Sequence, residues 1–118
     1  NSDLSDLTGS LKEVNLMRYN IEGVDTSGIQ CFVKNNMAYV SIELYYRPKE
    51  AITGWTKIVS NLPIPAYTKQ MIIHYSQNDD GDSIAGILLT NSGNLMIKGG
   101  NLSYTKCICS PISYPIKM

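Results

Sequence analysis

The chain has 118 residues, 43% of them hydrophobic, and a formal net charge of zero. That length and composition suffice for one domain with its own core, and the balanced charge offers no electrostatic grip on nucleic acid or an anionic membrane. No apolar run approaches the roughly 20 residues that a membrane-spanning helix needs, so membrane insertion is not expected. Asn1 opens a polar segment without a signal-peptide pattern, and the missing initial Met suggests the trimmed end of a longer polypeptide.

In chain order, the first 27 residues read as a leader and residues 28–118 as a head domain. In the leader, Leu4, Leu7, Leu11 and Val14 follow the rhythm of a coiled-coil seam, with Asp3, Ser5, Asp6, Lys12 and Glu13 on the outer positions. Gly9 weakens such a helix by about 1 kcal/mol relative to Ala. This pattern predicts the end of an oligomeric stalk, helical or extended; the alternative is a leader packed on the domain.

From Gly28 the pattern is β throughout. Residues 29–34 form a short strand, and Asn35-Asn36 reads as a tight turn. Residues 37–46 give the longest strand, with Ala38, Val40, Ile42 and Leu44 on a core face and Tyr39, Ser41, Glu43 and Tyr45 on the other. Pro48 ends it. Gly54 precedes a strand at 55–62, Pro63 and Pro65 force an extended connection, and residues 69–76 form the next strand. Residues 77–83 are a polar, acidic loop. Residues 84–98 are the strongest signal: two apolar runs around Asn-Ser-Gly-Asn, where Asn91 and Gly93 suit left-handed backbone angles. A strand at 103–109 follows, and Pro111 and Pro115 bracket a tail containing Tyr114. Seven or eight short strands with regular turn signals and no internal repeat predict an all-β fold, an antiparallel β-sandwich or jelly roll.

The chemistry is sparse. His74 is the single histidine, it lies mid-strand, and no nucleophile elbow accompanies it. Glu43 and Glu50 show no cleft geometry for a glycosidase pair. Gly99-Gly100 lacks the Lys and helix of a phosphate loop, and no aromatic-basic platform for single-stranded nucleic acid is visible. The chain therefore reads as a non-enzyme without cofactor. One His and three scattered Cys do not make a zinc site. Asn78-Asp79-Asp80-Gly81-Asp82-Ser83 has the oxygen donors of a calcium loop but lacks the closing Glu, so it reads first as a solvated loop, with calcium as the alternative. Cys31, Cys107 and Cys109 are too few for a disulfide scaffold and read as buried small hydrophobes. Cys107 and Cys109 share a strand face and are not expected to pair with each other; a bridge from Cys31 to either stays open. The one Trp and eight Tyr are the more informative set. Tyr45, Tyr46, Trp55 and Tyr67 lie near loops, where aromatic faces stack on sugar rings or fill a core or subunit interface.

Residues 54–63, Gly-Trp-Thr-Lys-Ile-Val-Ser-Asn-Leu-Pro, followed by the hairpin at 86–95 with its Ser-Gly turn and by Ile112-Ser113-Tyr114-Pro115, resemble the C-terminal head domains of phage and prophage tail fibres and baseplate receptor-binding proteins. The strand at 36–44 stands in the corresponding place, and the resemblance covers residues 29–116. It implies a compact head similar to the tumour-necrosis-factor-like jelly roll. It further implies a homotrimer on a stalk in the phage virion, made in the bacterial cytoplasm and working outside the cell by adhesion to a bacterial surface saccharide. Free cysteines suit assembly in a reducing compartment. The candidate binding rim is Trp55 and Tyr45 with the 77–83 loop, including Asp79, Asp80 and Asp82. Two other readings stand beside it: a structural virion module without a receptor, and a monomeric carbohydrate-binding or accessory module.

Overall fold

The computed structural model describes residues 11–77 and 83–117. Among these residues, ten strands form two antiparallel sheets packed face to face: β1 Lys12–Glu13, β2 Met17–Arg18, β3 Val24–Asp25, β4 Gln30–Lys34, β5 Met37–Tyr46, β6 Ile52–Ser60, β7 Met71–Gln77, β8 Ser83–Leu89, β9 Leu95–Gly99 and β10 Lys106–Pro115. One sheet runs β1-β4-β5-β10, with β3 also paired to β5, and the other runs β2-β6-β9-β8-β7. The pairs β5·β10, β6·β9 and β7·β8 are nested one inside the next, a jelly-roll-like arrangement in which a long hairpin folds over on itself.

Strand β5 explains one half of the core. Its alternation buries Ala38, Val40, Ile42, Leu44 and Tyr46 and leaves Tyr39, Ser41, Glu43 and Tyr45 outside. Ile108 and Tyr114 of β10 lie across from Leu44 and Ala38 on the same inner face. The other sheet answers with Ile87 and Leu89 of β8 paired to Ile97 and Leu95 of β9, all four at most 1% exposed. The two largest fully buried side chains keep a polar handle satisfied. The Tyr46 hydroxyl donates to the Gly100 carbonyl at 2.6 Å, and that of Tyr114 to the Pro63 carbonyl at 2.8 Å.

The turns follow the local chemistry. Asn35 and Asn36 take φ of 52° and 63°, the two left-handed residues that a two-residue hairpin requires. In the β8–β9 turn, Gly93 takes φ of 82° while Thr90 organises the loop, its Oγ1 accepting from the Asn94 and Ser92 amides. Asn91 does not share the left-handed angle expected of it. Its side-chain amide instead donates to the Thr68 carbonyl at 2.8 Å, tying the turn to the β6–β7 connection.

Several sequence expectations are corrected. No helix occurs among the described residues: Leu11 precedes β1 and Val14 follows it, β1 pairs with β4, and the Val14 amide donates to the Cys31 carbonyl. Leu4 and Leu7 lie outside the described residues. The boundary at 27/28 does not separate leader from head, because β2 pairs with β6 and β3 with β5, adding chain from the leader to both sheets. Arg18 reinforces this link through its guanidinium, which donates to the Thr26 and Ile29 carbonyls at 2.9 and 2.7 Å. Strand β10 runs straight through Pro111 to Pro115 instead of stopping before them. It is an edge strand, where a missing backbone donor is tolerated.

The buried acids set an alkaline limit on stability. Burial pushes the Cys31 thiol up to about 11 and holds the Tyr46 and Tyr114 phenols above their ordinary range. Folded chains therefore keep protons that unfolded chains release, so stability is complete below the unfolded pKa of these groups and declines as pH rises toward the folded one. Urea unfolding is expected to give a constant midpoint from about pH 6 to 8 and a falling one from about pH 9 to 11. Cys31→Ala should lower stability at every pH and flatten the onset of that fall; a midpoint rising above pH 9 would contradict the assignment.

Candidate functional site

The outer face of the β2-β6-β9-β8-β7 sheet carries the most distinctive surface of the molecule. The inner face is fixed by the pairs Ala85↔Gly99, Ile87↔Ile97 and Leu89↔Leu95, so the alternate residues Gly86 and Leu88, paired with Lys98 and Met96, point outward. Lys57 pairs with Met96 and shares its outward face, and Trp55, two residues before Lys57, does too. Tyr75 of β7 pairs with Gly86.

These registers bring Trp55, Tyr75 and Lys98 together over Gly86. A Cβ built on Gly86 would lie 3.1 Å from the Trp55 ring and 3.1 Å from the Tyr75 ring, so the two aromatics converge on the bare backbone of β8 from either side. Lys98 Nζ sits 5.1 Å from the centre of the Trp55 ring, a cation–π contact that leaves its ammonium at the rim. Beside them opens a cleft of about 320 Å³, lined by Tyr75, Gly86 and Lys98 with residues 51–53 and 99–100. Tyr75 is 46% exposed and Trp55 is half-buried, so both rings are held by packing and reachable from solvent. A flat apolar floor, a phenol hydroxyl and an ammonium donor are the elements that recognise a sugar ring: the floor stacks on its C–H face, and the polar groups reach its hydroxyls.

The residues singled out from the sequence do not all meet here. Trp55 does. Tyr45 lies on the outer face of the opposite sheet, with the core between it and Trp55, so these two form no common rim. Asp79, Asp80 and Asp82, and with them the calcium question, lie outside the described residues. Tyr45 instead donates its hydroxyl to Glu43 Oε1 at 3.0 Å, and the acceptor carboxylate and its charge hold the Tyr45 phenol above the usual range. His74 sits half-buried where the β7–β8 register slips between Ile72 and His74. Among the described residues no group of three or more His, Cys, Asp or Glu side chains is placed to hold a metal ion.

Tyr75, Gly86 and Lys98 escaped the sequence reading. Gly86 did leave a signal: a glycine inside an otherwise apolar strand marks close approach of another group, and here that group is a pair of aromatic rings. The cysteines also divide differently from expectation. Cys31 is buried, whereas Cys107 and Cys109 are exposed on the outer face of β10, and all three are free thiols. A bridge from Cys31 to either would have to pass through the sheet.

Comparison of the chain with protein-family models, with curated proteins and with solved structures finds no match.

Proposed function

We propose that this chain is a non-catalytic adhesion module: the head of a tail-fibre or baseplate-like assembly that binds a bacterial surface saccharide through the Trp55–Tyr75 cleft. One observation carries the reading, the convergence of these two rings over Gly86 beside an open, mostly apolar cleft. The β-sandwich architecture and the fibre-head resemblance of residues 54–63, which run from the middle of β6 into the connection after it, support the same conclusion.

The mechanism is binding alone. A pyranose ring stacks on the exposed Tyr75 face, the Trp55 edge limits its position, and Lys98 donates to hydroxyl or anionic substituents at the rim. A single site of this kind is shallow and weak. Three copies on one homotrimeric head raise avidity by roughly 10²–10⁴ on a repeating polymer without any new contact. The display site of such a head is the tip of a virion, outside the host cell.

Solution mass by light scattering after size exclusion, combined with pull-down on purified bacterial surface polysaccharides, tests this. The expected result is a concentration-independent trimer that binds at least one polymer and loses it on Tyr75→Ala. A monomer that still binds through Tyr75 would assign the chain to the monomeric carbohydrate-binding class. A trimer that binds none would make it a structural virion module.

A further inference from the structure

The outer face of β10, on the sheet opposite the aromatic cleft, holds a second arrangement of reactive groups. Cys107 and Cys109 project to the same side of the strand, and their sulfurs lie 3.5 Å apart. Both are exposed and neither forms a disulfide. Across the ladder, Cys107 faces Tyr45 and Cys109 faces Glu43, with Tyr45 hydrogen-bonded to Glu43. This is a pair of solvent-facing thiols beside an acceptor carboxylate.

We propose that Cys107 and Cys109 form a two-sulfur chelate for a soft, thiophilic cation, with Cu(I) as the ion that fits the donor set. The geometry supplies both donors on one rigid element. Metal–sulfur bonds of about 2.3 Å put two sulfurs from just under 4 Å apart in a tetrahedral site to about 4.6 Å in a linear one. Exposed side chains reach that range from 3.5 Å by opening their χ1 angles. Softness selects the ion, since thiolates favour Cu(I) over the hard cations that carboxylates take. Coordination number does the same, because among the described residues no third or fourth ligand stands ready for a tetrahedral ion, while Cu(I) is satisfied by two thiolates. Binding replaces two S–H bonds with two S–Cu bonds and releases two protons to solvent, with no change of oxidation state at sulfur or copper. Glu43 and Tyr45 are the ionisable groups facing the pair across the strand.

The test is a competition titration of the reduced protein with Cu(I) against a chromophoric Cu(I) chelator. One ion per chain is expected. Cys107→Ser and Cys109→Ser should each weaken binding by at least about 100-fold, because a chelate loses its second bond with either change, whereas Cys31→Ala should leave the affinity unchanged. Both serine substitutions are at exposed positions, and circular dichroism of each variant confirms that the sandwich is intact. Uptake by the Cys107→Ser/Cys109→Ser double variant equal to that of the parent would overturn the proposal. So would single variants that keep the parent affinity, or a stoichiometry of one ion per two chains.

Discussion

Gly99→Ala is expected to destabilise the fold by about 3 kcal/mol or more. Gly99 is the inward-facing residue at the end of β9, paired with Ala85 on one side and Ile52 on the other. A Cβ there would collide with the Ile84 carbonyl oxygen and lie 2.7 Å from the Ala85 Cα, and neither backbone atom can move without disturbing the ladder. The third contact is the Tyr46 hydroxyl, also at 2.7 Å, which passes close to Gly99 on its way to the Gly100 carbonyl. The glycine thus makes room for the hydrogen bond that anchors one sheet to the other. Tyr46→Phe should cost about 1–2 kcal/mol, chiefly by leaving the Gly100 carbonyl without its partner. The double variant should be less destabilised than the sum, because removing the hydroxyl relieves one of the three contacts. Urea unfolding of the four proteins measures this directly; a Gly99→Ala midpoint within error of the parent would show that the sheets are not in this close register.

The second large effect concerns binding. Trp55→Ala should weaken saccharide binding by a single site, and Gly86→Leu should do so while keeping both aromatic rings. A Cβ at Gly86 already reaches 3.1 Å from both rings, and the far ends of those side chains can move, so the backbone need not shift. A leucine must push Trp55 and Tyr75 apart and fill the space at the edge of the cleft. Loss of one aromatic ring from the site is worth at most about 1–3 kcal/mol, on the scale of base–aromatic stacking, or some 5- to 150-fold in affinity. The same loss repeated at three sites of a trimer would remove polymer adhesion altogether. Tyr45→Ala should leave binding unchanged, because that side chain stands on the opposite sheet. Binding lost with Tyr45→Ala and kept with Trp55→Ala would move the site to the other face.

Much of this fold is legible in the sequence where one physical signal dominates. The bounds of β5 follow from strict alternation ended by Arg47-Pro48, and the β4–β5 turn follows from two adjacent asparagines that tolerate positive φ. The β8–β9 hairpin is set by Gly93 between two apolar runs. Strands β1, β2 and β3 are two residues long each and carry no periodicity, so a leucine spacing compatible with a heptad outweighed them. Strand β10 is masked by its prolines, whose tolerance depends on an edge position that only the assembled sheet defines. The candidate site was half legible: Trp55 stood out as the single tryptophan in a surface-suited motif, but its partners did not. Register slips in both β6 and β7 decide which residues of these strands meet across β8 and β9. Tyr45 and Trp55 both lie near loops in the sequence, and the sandwich separates them by sending their strands to different sheets.

The most direct measurement of the central claim uses the chain's own reporter. Trp55 is the single tryptophan, and its ring packs over Gly86 at the edge of the cleft, so intrinsic tryptophan fluorescence reports on that edge. Titration with purified bacterial surface saccharides should give a saturable change in Trp55 emission for at least one of them, with the same midpoint as binding measured by calorimetry, and Gly86→Leu should remove both signals together. A saccharide that binds the protein by calorimetry while Trp55 emission stays unchanged, with undiminished affinity in Gly86→Leu, would contradict the assignment of the cleft as the binding site.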